Sequence, residues 1–241
     1  MKYKEIVIAM DWDDTIVDTT PTLASMIHAS TGWHPGDDVY LNNNNDRGHL
    51  KPLLDSGEFM ALTKLRPEHV GLIDWMYAAK DRFPVRFVVA THRGYHTEAE
   101  RLTADNVTRT GLPFSDIIYI DPKNHADKTA YLSAMFPRVV LTDDRPMFDG
   151  HGPLPPNVIL YNQPWNQHMA PFKERYRVTN SIRMRTELER FIRMTYLIEE
   201  TIDEQSALPL AETPFSHYDS TSLSATIKAR APGGRINDRR F

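Results

Sequence analysis

Short apolar runs rich in β-branched residues recur along the chain and predict the strands of a sheet. Five such runs occupy residues 5–10, 85–90, 117–120, 139–141 and 158–161. These runs lack the strict alternation of apolar and polar positions that marks a half-exposed strand. They are therefore typical of strands buried on both faces of a parallel sheet.

Helical patterns separate the predicted strands. Apolar residues recur at helical spacing over 68–83, a second pattern ends at Gly111, and a shorter one covers 130–136. A charged helix is predicted over 183–200, after the last of these strands. Because strands that alternate with helices form right-handed βαβ crossovers, we expect an α/β fold, a three-layer Rossmann-like parallel sheet.

The connection between the first two predicted strands is much longer than a crossover helix needs. Residues 19–65 are therefore interpreted as a small helical cap inserted after the first strand, with helices over 21–30 and 49–56. The core is then expected to comprise residues 1–18 and 66–200.

The composition excludes several classes of chemistry. The 241 residues include no cysteine, which rules out disulfides, thiolate catalysis and cysteine-based zinc sites. A net charge of −4 argues against a protein whose whole surface wraps nucleic acid. No apolar run approaches the length of about 18 residues that a membrane span needs, and the N-terminus lacks an apolar signal core. We therefore expect a cytoplasmic protein with no membrane partner.

The C-terminal region differs in composition from the rest. Residues 201–241 are rich in Ser, Thr, Pro and Ala and end in a basic stretch. Such a composition predicts a loosely ordered tail or an oligomer contact.

Two carboxylates follow the first predicted strand at the position where a parallel sheet places its ligands. Asp11 and Asp13 come directly after the apolar run, and ligand sites in open α/β sheets lie beyond the carboxyl ends of the strands. Neighbouring carboxylates repel unless a cation or a proton joins them. The segment predicts a magnesium site with a nucleophilic or acid–base aspartate. The alternative, of equal weight on this segment alone, is that the aspartates cap a helix that starts near Pro21.

Polar residues of complementary chemistry follow the later strands. Thr91 and His92 follow the second run, Asp143 and Asp144 follow the fourth, and Lys128 stands at the predicted start of a helix between them. Because the carboxyl ends of parallel strands meet at one edge of a sheet, we expect these side chains to gather around the two aspartates of the first strand.

This set of side chains suits phosphoryl transfer, where catalysis consists mainly of positioning and of neutralising charge on the transferring group. Carboxylates bind hard cations such as Mg²⁺. The Thr91 hydroxyl can donate to a phosphoryl oxygen, and Lys128 supplies a compact positive charge. An aspartate can attack phosphorus to form an aspartyl-phosphate, and a neighbouring carboxyl group can protonate the leaving oxygen.

The chain resembles the haloacid dehalogenase (HAD) superfamily of phosphohydrolases in four ordered motifs between residues 5 and 150. The motifs are Asp11-Trp12-Asp13-Asp14-Thr15, Thr91, Lys128 and Asp143-Asp144. The resemblance implies a HAD core in which Asp11 is the nucleophile and Asp13 is the acid–base and lends its backbone carbonyl to Mg²⁺. It implies that Thr91, with His92 beside it, and Lys128 hold the phosphoryl group. Asp144, with Asp143 next to it, would complete the metal site.

A closer resemblance is to the 5′(3′)-deoxyribonucleotidases. The segments that carry it are 57–67, 127–129, 141–146 and 157–168. The resemblance implies a 5′-nucleotidase of (deoxy)nucleoside monophosphates. Where that family places aromatic residues against the base, this chain has Thr19 and His49, and Phe59 follows at a shorter spacing. These three residues are the candidate substrate contacts in the cap.

We therefore expect a Mg²⁺-dependent phosphomonoesterase whose partner is a small phosphorylated substrate, a nucleotide. A nucleic-acid end (3′-) phosphatase is the first alternative; the basic C-terminal stretch favours it and the cap opposes it. A non-catalytic nucleotide-binding module is the second, and the intact motif residues oppose it. The sequence leaves open whether the chain forms a homo-oligomer.

Several residues allow two interpretations. His92 and His96 have a spacing that zinc ligands use, but no third ligand stands nearby, so we favour loop residues. Arg93 and Arg145 suit phosphate binding and an ion pair with an acidic neighbour equally well. The aromatic residues of the cap are Trp33, Tyr40 and Phe59. Aromatic residues of this kind either stack on a base or form the cap core, and we favour the core.

Overall fold

The structure is a computed structural model that describes residues 4–36, 39–41, 46–147 and 153–207. The chain divides into a compact unit that ends at Ile202 and a second unit that begins at Asp203. The basic C-terminal stretch lies outside the described residues. None of the helices in the described ranges has both the length and the apolar character that a membrane crossing requires.

The core of the fold is a six-stranded, all-parallel sheet with the strand order β3-β2-β1-β4-β5-β6. The strands are β1 (Ile6–Met10), β2 (Val85–Thr91), β3 (Asp116–Tyr119), β4 (Val139–Asp143), β5 (Val158–Tyr161) and β6 (Arg177–Val178). The predicted α/β fold is confirmed. β6 is not among the predicted strands, because a strand of two residues leaves no apolar run in the sequence.

Seven α-helices accompany the sheet in the part of the chain that is described. They are α1 (Thr19–Thr31), α2 (Leu50–Ser56), α3 (Phe59–Leu62), α4 (Leu72–Arg82), α5 (Ala99–Thr110), α6 (Lys128–Met135) and α7 (Ser181–Ala207). The pattern predicted over 68–83 is divided into a 3₁₀ turn, Pro67–His69, and α4. α5 ends as predicted at Gly111, whose φ of 71° is the left-handed conformation that glycine adopts readily.

α7 is longer than predicted. It continues through residues 201–207, the start of the predicted tail. The physical reason is that no glycine or proline follows its start before Pro209, so nothing in the sequence stops the helix earlier.

Side chains of the central strands alternate between two helical layers. Ile6, Ile8 and Met10 of β1 pack in one cluster with α4 and α7, and Val7 and Ala9 pack on the opposite face with Leu132 of α6. Because both faces are covered, the strands have no polar side, and this explains their continuous apolar runs.

The segment between β1 and α4, called here the insert (residues 19–65), carries α1, α2 and α3. Its apolar side chains form a third cluster, which includes Ile27, Leu50 and Phe59 and extends to Ala99 of α5. The two ends of the insert lie side by side, because the backbone N–H of Asp18, the residue before it, donates to the Lys64 carbonyl (3.0 Å).

Candidate active site

The predicted gathering of side chains takes place where the strand order reverses. β1 and β4 are adjacent and parallel, and the Asp11 backbone N–H donates to the Thr142 carbonyl at 2.8 Å. Asp11 follows β1, whereas Asp143 ends β4 and Asp144 follows it. One carboxylate oxygen from each of these three aspartates lies within 4.8 Å of the other two, and all three side chains are buried. The carboxyl edge of the sheet therefore holds a compact acidic cluster.

Lys128 lies inside this cluster. It is the first residue of α6, and the Asp127 side chain caps that helix by accepting a hydrogen bond from the Ala130 N–H (3.0 Å). The ammonium group contacts the Asp11 carboxylate and lies 2.8 Å from Asp143 Oδ2. Although burial lowers the pKa of Lys128, the charges of Asp11 and Asp143 outweigh it and hold this pKa above its ordinary value. Lys128 is a permanent cation.

The charges of the cluster do not balance. Asp11, Asp143 and Asp144 face one ammonium group, so two negative charges stay uncompensated when all three are ionised. Burial, followed by the neighbouring carboxylates, raises the pKa of Asp11 well above its ordinary value and that of Asp144 to about 8. A divalent cation would supply the missing charge, and an all-oxygen donor set is the type that Mg²⁺ prefers. The residues present therefore fit a magnesium ion.

Asp144 is held by hydrogen bonds from two directions. The Thr15 hydroxyl accepts from the Asp144 N–H (3.0 Å) and donates to Asp144 Oδ1 (3.3 Å). On the other side, the Trp165 indole N–H donates to Asp144 Oδ2 at 2.7 Å. The carboxylate consequently has a fixed orientation toward the other two aspartates.

Asp13 is engaged by an arginine. Arg93 is buried, and its guanidinium donates to both carboxylate oxygens of Asp13, at 2.6 Å from Nη2 to Oδ1 and 2.9 Å from Nε to Oδ2. Although burial raises the pKa of Asp13, the charge and hydrogen bonds of Arg93 and the Thr19 hydroxyl lower it below its ordinary value. Of the two interpretations of Arg93, the structure shows the ion pair. Asp13 is therefore ionised in this conformation.

Arg93 also reaches the insert. Its Nη1 donates to the Thr103 hydroxyl of α5 (3.1 Å) and to the Met60 carbonyl of α3 (3.3 Å). The guanidinium thus joins Asp13 to the insert as well as to the core.

The two predicted phosphate contacts after β2 lie beside the cluster. The buried Thr91 hydroxyl donates to Asp13 Oδ2 at 3.3 Å. His92 Nε2 donates to the His125 carbonyl at 3.2 Å, and burial and the charge of Lys128 lower its pKa to about 3. Because Nε2 carries the proton of this neutral ring, Nδ1 has none to donate to a phosphate.

The histidine pair does not form a zinc site. His92 and His96 donate to different backbone carbonyls, those of His125 and Asp55, the latter at 3.0 Å. Within the described ranges, the acidic or imidazole side chains whose ligand atoms lie close enough together to hold a metal ion are those of Asp11, Asp143 and Asp144.

Asp14, and not the Asp11 or Asp13 of the capping interpretation, accepts a backbone hydrogen bond from the start of α1. Asp14 accepts from the Thr20 N–H and from the Thr20 hydroxyl, both at 2.7 Å, and so caps the start of α1. Burial raises the pKa of Asp14 to about 6. Its φ of 56° is left-handed, a conformation that aspartate tolerates better than most residues. Among the hydrogen bonds of the described residues, the Asp11 carboxylate accepts from Lys128 and not from the start of α1.

The three candidate contacts of the insert differ in position. Thr19 donates a hydrogen bond to Asp13 Oδ1 and therefore touches the site. The ring of His49 packs beside Trp33, with 5.9 Å between centroids. Phe59 is buried in the insert cluster, and the guanidinium carbon of Arg93 lies 5.6 Å from its ring centroid.

Two residues at the site were not assigned to it from the sequence, and a third was assigned to the core of the cap. Trp165 belongs to a 3₁₀ turn after β5, and no pattern in the sequence indicates that its indole reaches Asp144. The guanidinium carbon of Arg145 lies 4.6 Å from the ring centroid of Tyr40. The Tyr40 ring in turn lies 5.8 Å from that of Trp165. The position of Arg145 directly after Asp144 was the available signal.

Comparisons with known proteins do not identify a family. No protein-family model matches the chain, and no curated protein matches it. Solved structures do match it. A hydrolase from Streptococcus pneumoniae TIGR4 is 14% identical, with a TM-score of 0.43 over 78% of this chain and 100% of that one. A haloacid dehalogenase-like family hydrolase from Xanthomonas campestris is 10% identical, with a TM-score of 0.40 over 78% and 96%.

A third solved structure is a predicted phosphoglycolate phosphatase from Haemophilus somnus 129PT. It is 16% identical, with a TM-score of 0.37 over 61% of this chain and 80% of that one. Identities and TM-scores this low leave the residues of the site as the basis for a functional conclusion.

Proposed function

We propose that this chain is a Mg²⁺-dependent phosphomonoesterase of the HAD type, in which Asp11 attacks phosphorus. The observation that carries the proposal is the buried cluster of Asp11, Asp143 and Asp144 around Lys128. It lies at the carboxyl edge of β1 and β4, where the strand order reverses and where open α/β sheets bind their ligands.

In the proposed reaction, a carboxylate oxygen of Asp11 forms a bond to phosphorus while the ester bond to the leaving oxygen breaks. The leaving oxygen takes up a proton. Water then attacks the aspartyl-phosphate, which releases inorganic phosphate and restores Asp11. Lys128 neutralises charge beside the nucleophile. The Thr91 hydroxyl, which donates to Asp13 in this conformation, is proposed to turn and donate to a phosphoryl oxygen when substrate binds. A Mg²⁺ ion held by the three aspartates and the Asp13 carbonyl would neutralise the phosphoryl oxygens.

Asp13 is proposed to be the acid–base. Arg93 keeps it ionised, so the carboxylate is ready to accept a proton from the attacking water. To protonate a leaving oxygen, Asp13 must first loosen its contact with Arg93 and take up a proton from solvent. Because Arg93 also contacts the Met60 carbonyl of α3, movement of the insert is a means by which this contact can change.

The proposed substrate is a nucleoside 5′-monophosphate, and the insert is proposed to act as the cap. The resemblance to 5′(3′)-deoxyribonucleotidases supports the substrate. The pairing of the two ends of the insert, where Val17 bridges Leu65, supports a lid that moves as one piece. A nucleic-acid end phosphatase is the alternative, favoured by the basic residues of the C-terminal stretch.

A substrate panel tests the proposal. The full chain is incubated with Mg²⁺ and nucleoside monophosphates, sugar phosphates or 3′-phosphorylated oligonucleotides, and free phosphate is measured. We expect hydrolysis that EDTA abolishes, with nucleoside monophosphates preferred. Preference for the oligonucleotide would establish the alternative, and no release from any substrate would refute the proposal.

A matched pair of variants tests the nucleophile. Asp11→Asn should abolish turnover, whereas Asp81→Asn, at an exposed carboxylate of α4, should leave it unchanged. Full activity of Asp11→Asn would remove Asp11 from the reaction.

A further inference from the structure

The turn after β5 donates side-chain hydrogen bonds to both acidic loops of the site. Gln163 Nε2 donates to the Asp14 carbonyl, which follows β1. Asn166 Nδ2 donates to the Asp144 carbonyl (2.9 Å), and the Trp165 indole donates to the Asp144 carboxylate (2.7 Å). Residues 163–166, called here the brace turn, therefore hold the loops after β1 and β4 in place relative to each other.

The brace turn is itself rigid. The Gln163 N–H donates to Asn166 Oδ1 (3.1 Å), and the Asn166 N–H donates to the Gln163 carbonyl (3.2 Å). Asn166 is fully buried, and its Nδ2 also donates to the Tyr161 carbonyl of β5 (2.8 Å). Because its own hydrogen bonds fix the turn, the indole of Trp165 has a defined place from which to orient the carboxylate.

Trp165 is also the member of the brace turn that meets the insert. The Tyr40 ring lies 5.8 Å from the Trp165 ring, and the guanidinium carbon of Arg145 lies 4.6 Å from the Tyr40 centroid. Tyr40 thus contacts both Trp165, which donates to the Asp144 carboxylate, and Arg145, which follows Asp144 in the chain. A displacement of Tyr40 changes the surroundings of this carboxylate on both sides.

We infer that Trp165 is a positioning residue that orients the Asp144 carboxylate for a divalent cation, and that Tyr40 links the insert to this site through Trp165. The inference rests on the proposed function as far as the cation is concerned. A carboxylate oxygen has two lone pairs, so the indole bond to Oδ2 leaves room for a cation on the same oxygen or on Oδ1. Coupling of this kind is reciprocal: closure of the insert would tighten cation binding, and the cation would favour closure.

The test measures Mg²⁺ binding directly, by isothermal titration of the metal-free full chain without substrate. Trp165→Phe keeps an aromatic side chain and removes the N–H donor. We expect its dissociation constant for Mg²⁺ to rise by about 10- to 100-fold, the usual cost of losing a partner of a metal ligand. The matched control is Trp75→Phe, which removes an indole–carboxylate hydrogen bond of similar length, to Glu189 (2.8 Å), between α4 and α7. The control should bind Mg²⁺ as the wild type does.

Tyr40 is tested by the same titration. Tyr40→Leu should weaken Mg²⁺ binding, and Tyr40→Phe, which keeps the ring, should restore it. Because the effect of Tyr40 passes through Trp165, the double variant Tyr40→Leu/Trp165→Phe should be no weaker than Trp165→Phe alone. Additive losses would overturn the link between the insert and the metal site. If Trp165→Phe does not fold, the comparison of the two Tyr40 variants decides the inference.

The outcomes separate this inference from the proposed function. A wild-type chain that binds Mg²⁺ and hydrolyses phosphate monoesters, with Trp165→Phe binding Mg²⁺ equally well, overturns the inference alone. Equal weakening in Trp165→Phe and Trp75→Phe also overturns it, because the effect is then general destabilisation. A wild-type chain that binds no Mg²⁺ and releases no phosphate overturns both.

Discussion

The acidic cluster predicts that removing one of its charges stabilises the metal-free chain. In Asp144→Asn, an amide of nearly the same shape replaces the carboxylate whose pKa burial and Asp143 raise from 3.8 to about 8. Between pH 3.8 and pH 8, Asp144 of the folded chain keeps a proton that the unfolded chain has already lost. The free energy of unfolding of the wild type therefore falls as the pH rises through this window.

The size of the effect follows from the two pKa values. By linkage, the penalty that Asp144 imposes on the folded chain is at most about 3 kcal/mol at pH 6 and at most about 5 kcal/mol at pH 8. In Asp144→Asn the penalty is absent. Part of this gain is offset, because the new amide N–H₂ needs acceptors and the indole N–H of Trp165 can donate only to the amide oxygen. We therefore expect a net stabilisation of about 1–3 kcal/mol that is larger at pH 8 than at pH 6.

The assay is urea denaturation in EDTA, followed by circular dichroism at both pH values. Asp81→Asn, at an exposed carboxylate, is the control and should have the stability of the wild type at both. Addition of Mg²⁺ should then raise the stability of the wild type, but not that of Asp144→Asn, because the variant has lost a ligand. An Asp144→Asn chain that is less stable than the wild type, by an amount independent of pH, would refute this account of the cluster.

Three further predictions concern the surroundings of the site. Arg93→Met should lower the free energy of unfolding by about 3 kcal/mol in urea denaturation, because Asp13 loses its ion-pair partner; an unchanged value would contradict this. Burial lowers the pKa of His69 to about 4. Because the unfolded chain then binds a proton at a higher pH than the folded chain does, the free energy of unfolding falls as the pH drops from 6.5 toward 4. The wild type should lose about 2 kcal/mol more than His69→Gln between pH 7 and pH 5, and equal losses would contradict the assignment. Gly94→Ala places a Cβ 2.7 Å from a backbone carbonyl carbon after β3 and should cost about 1–3 kcal/mol. Gly71→Ala, whose Cβ meets nothing within 4 Å, is its control, and equal melting temperatures would contradict the steric argument.

The position of the site could be predicted because strand ends are visible in the sequence. Runs of β-branched residues mark the strands, and in a parallel sheet the residues that follow them must meet at one edge. Asp11, Asp143, Asp144 and Lys128 converge for this reason.

The partners of these residues could not be predicted in the same way. Whether Arg93 faces a phosphate or Asp13 depends on the 3₁₀ turn that follows β2, and the sequence does not specify the direction of that side chain. Trp165 reaches Asp144 across 21 residues of chain, through a turn after β5. Hydrophobic periodicity carries no information on such contacts, because they depend on tertiary packing.

The central claim is that Asp11 becomes covalently phosphorylated during turnover, and acid quenching tests it most directly. The full chain with Mg²⁺ is mixed with a radiolabelled nucleoside monophosphate carrying the label on phosphorus, quenched within milliseconds, and digested for peptide mapping. The account predicts label on the peptide that contains Asp11, released by hydroxylamine as an acyl phosphate is, and absent from Asp11→Asn. Steady release of labelled phosphate with no label on the protein, or label that persists in Asp11→Asn, would contradict it.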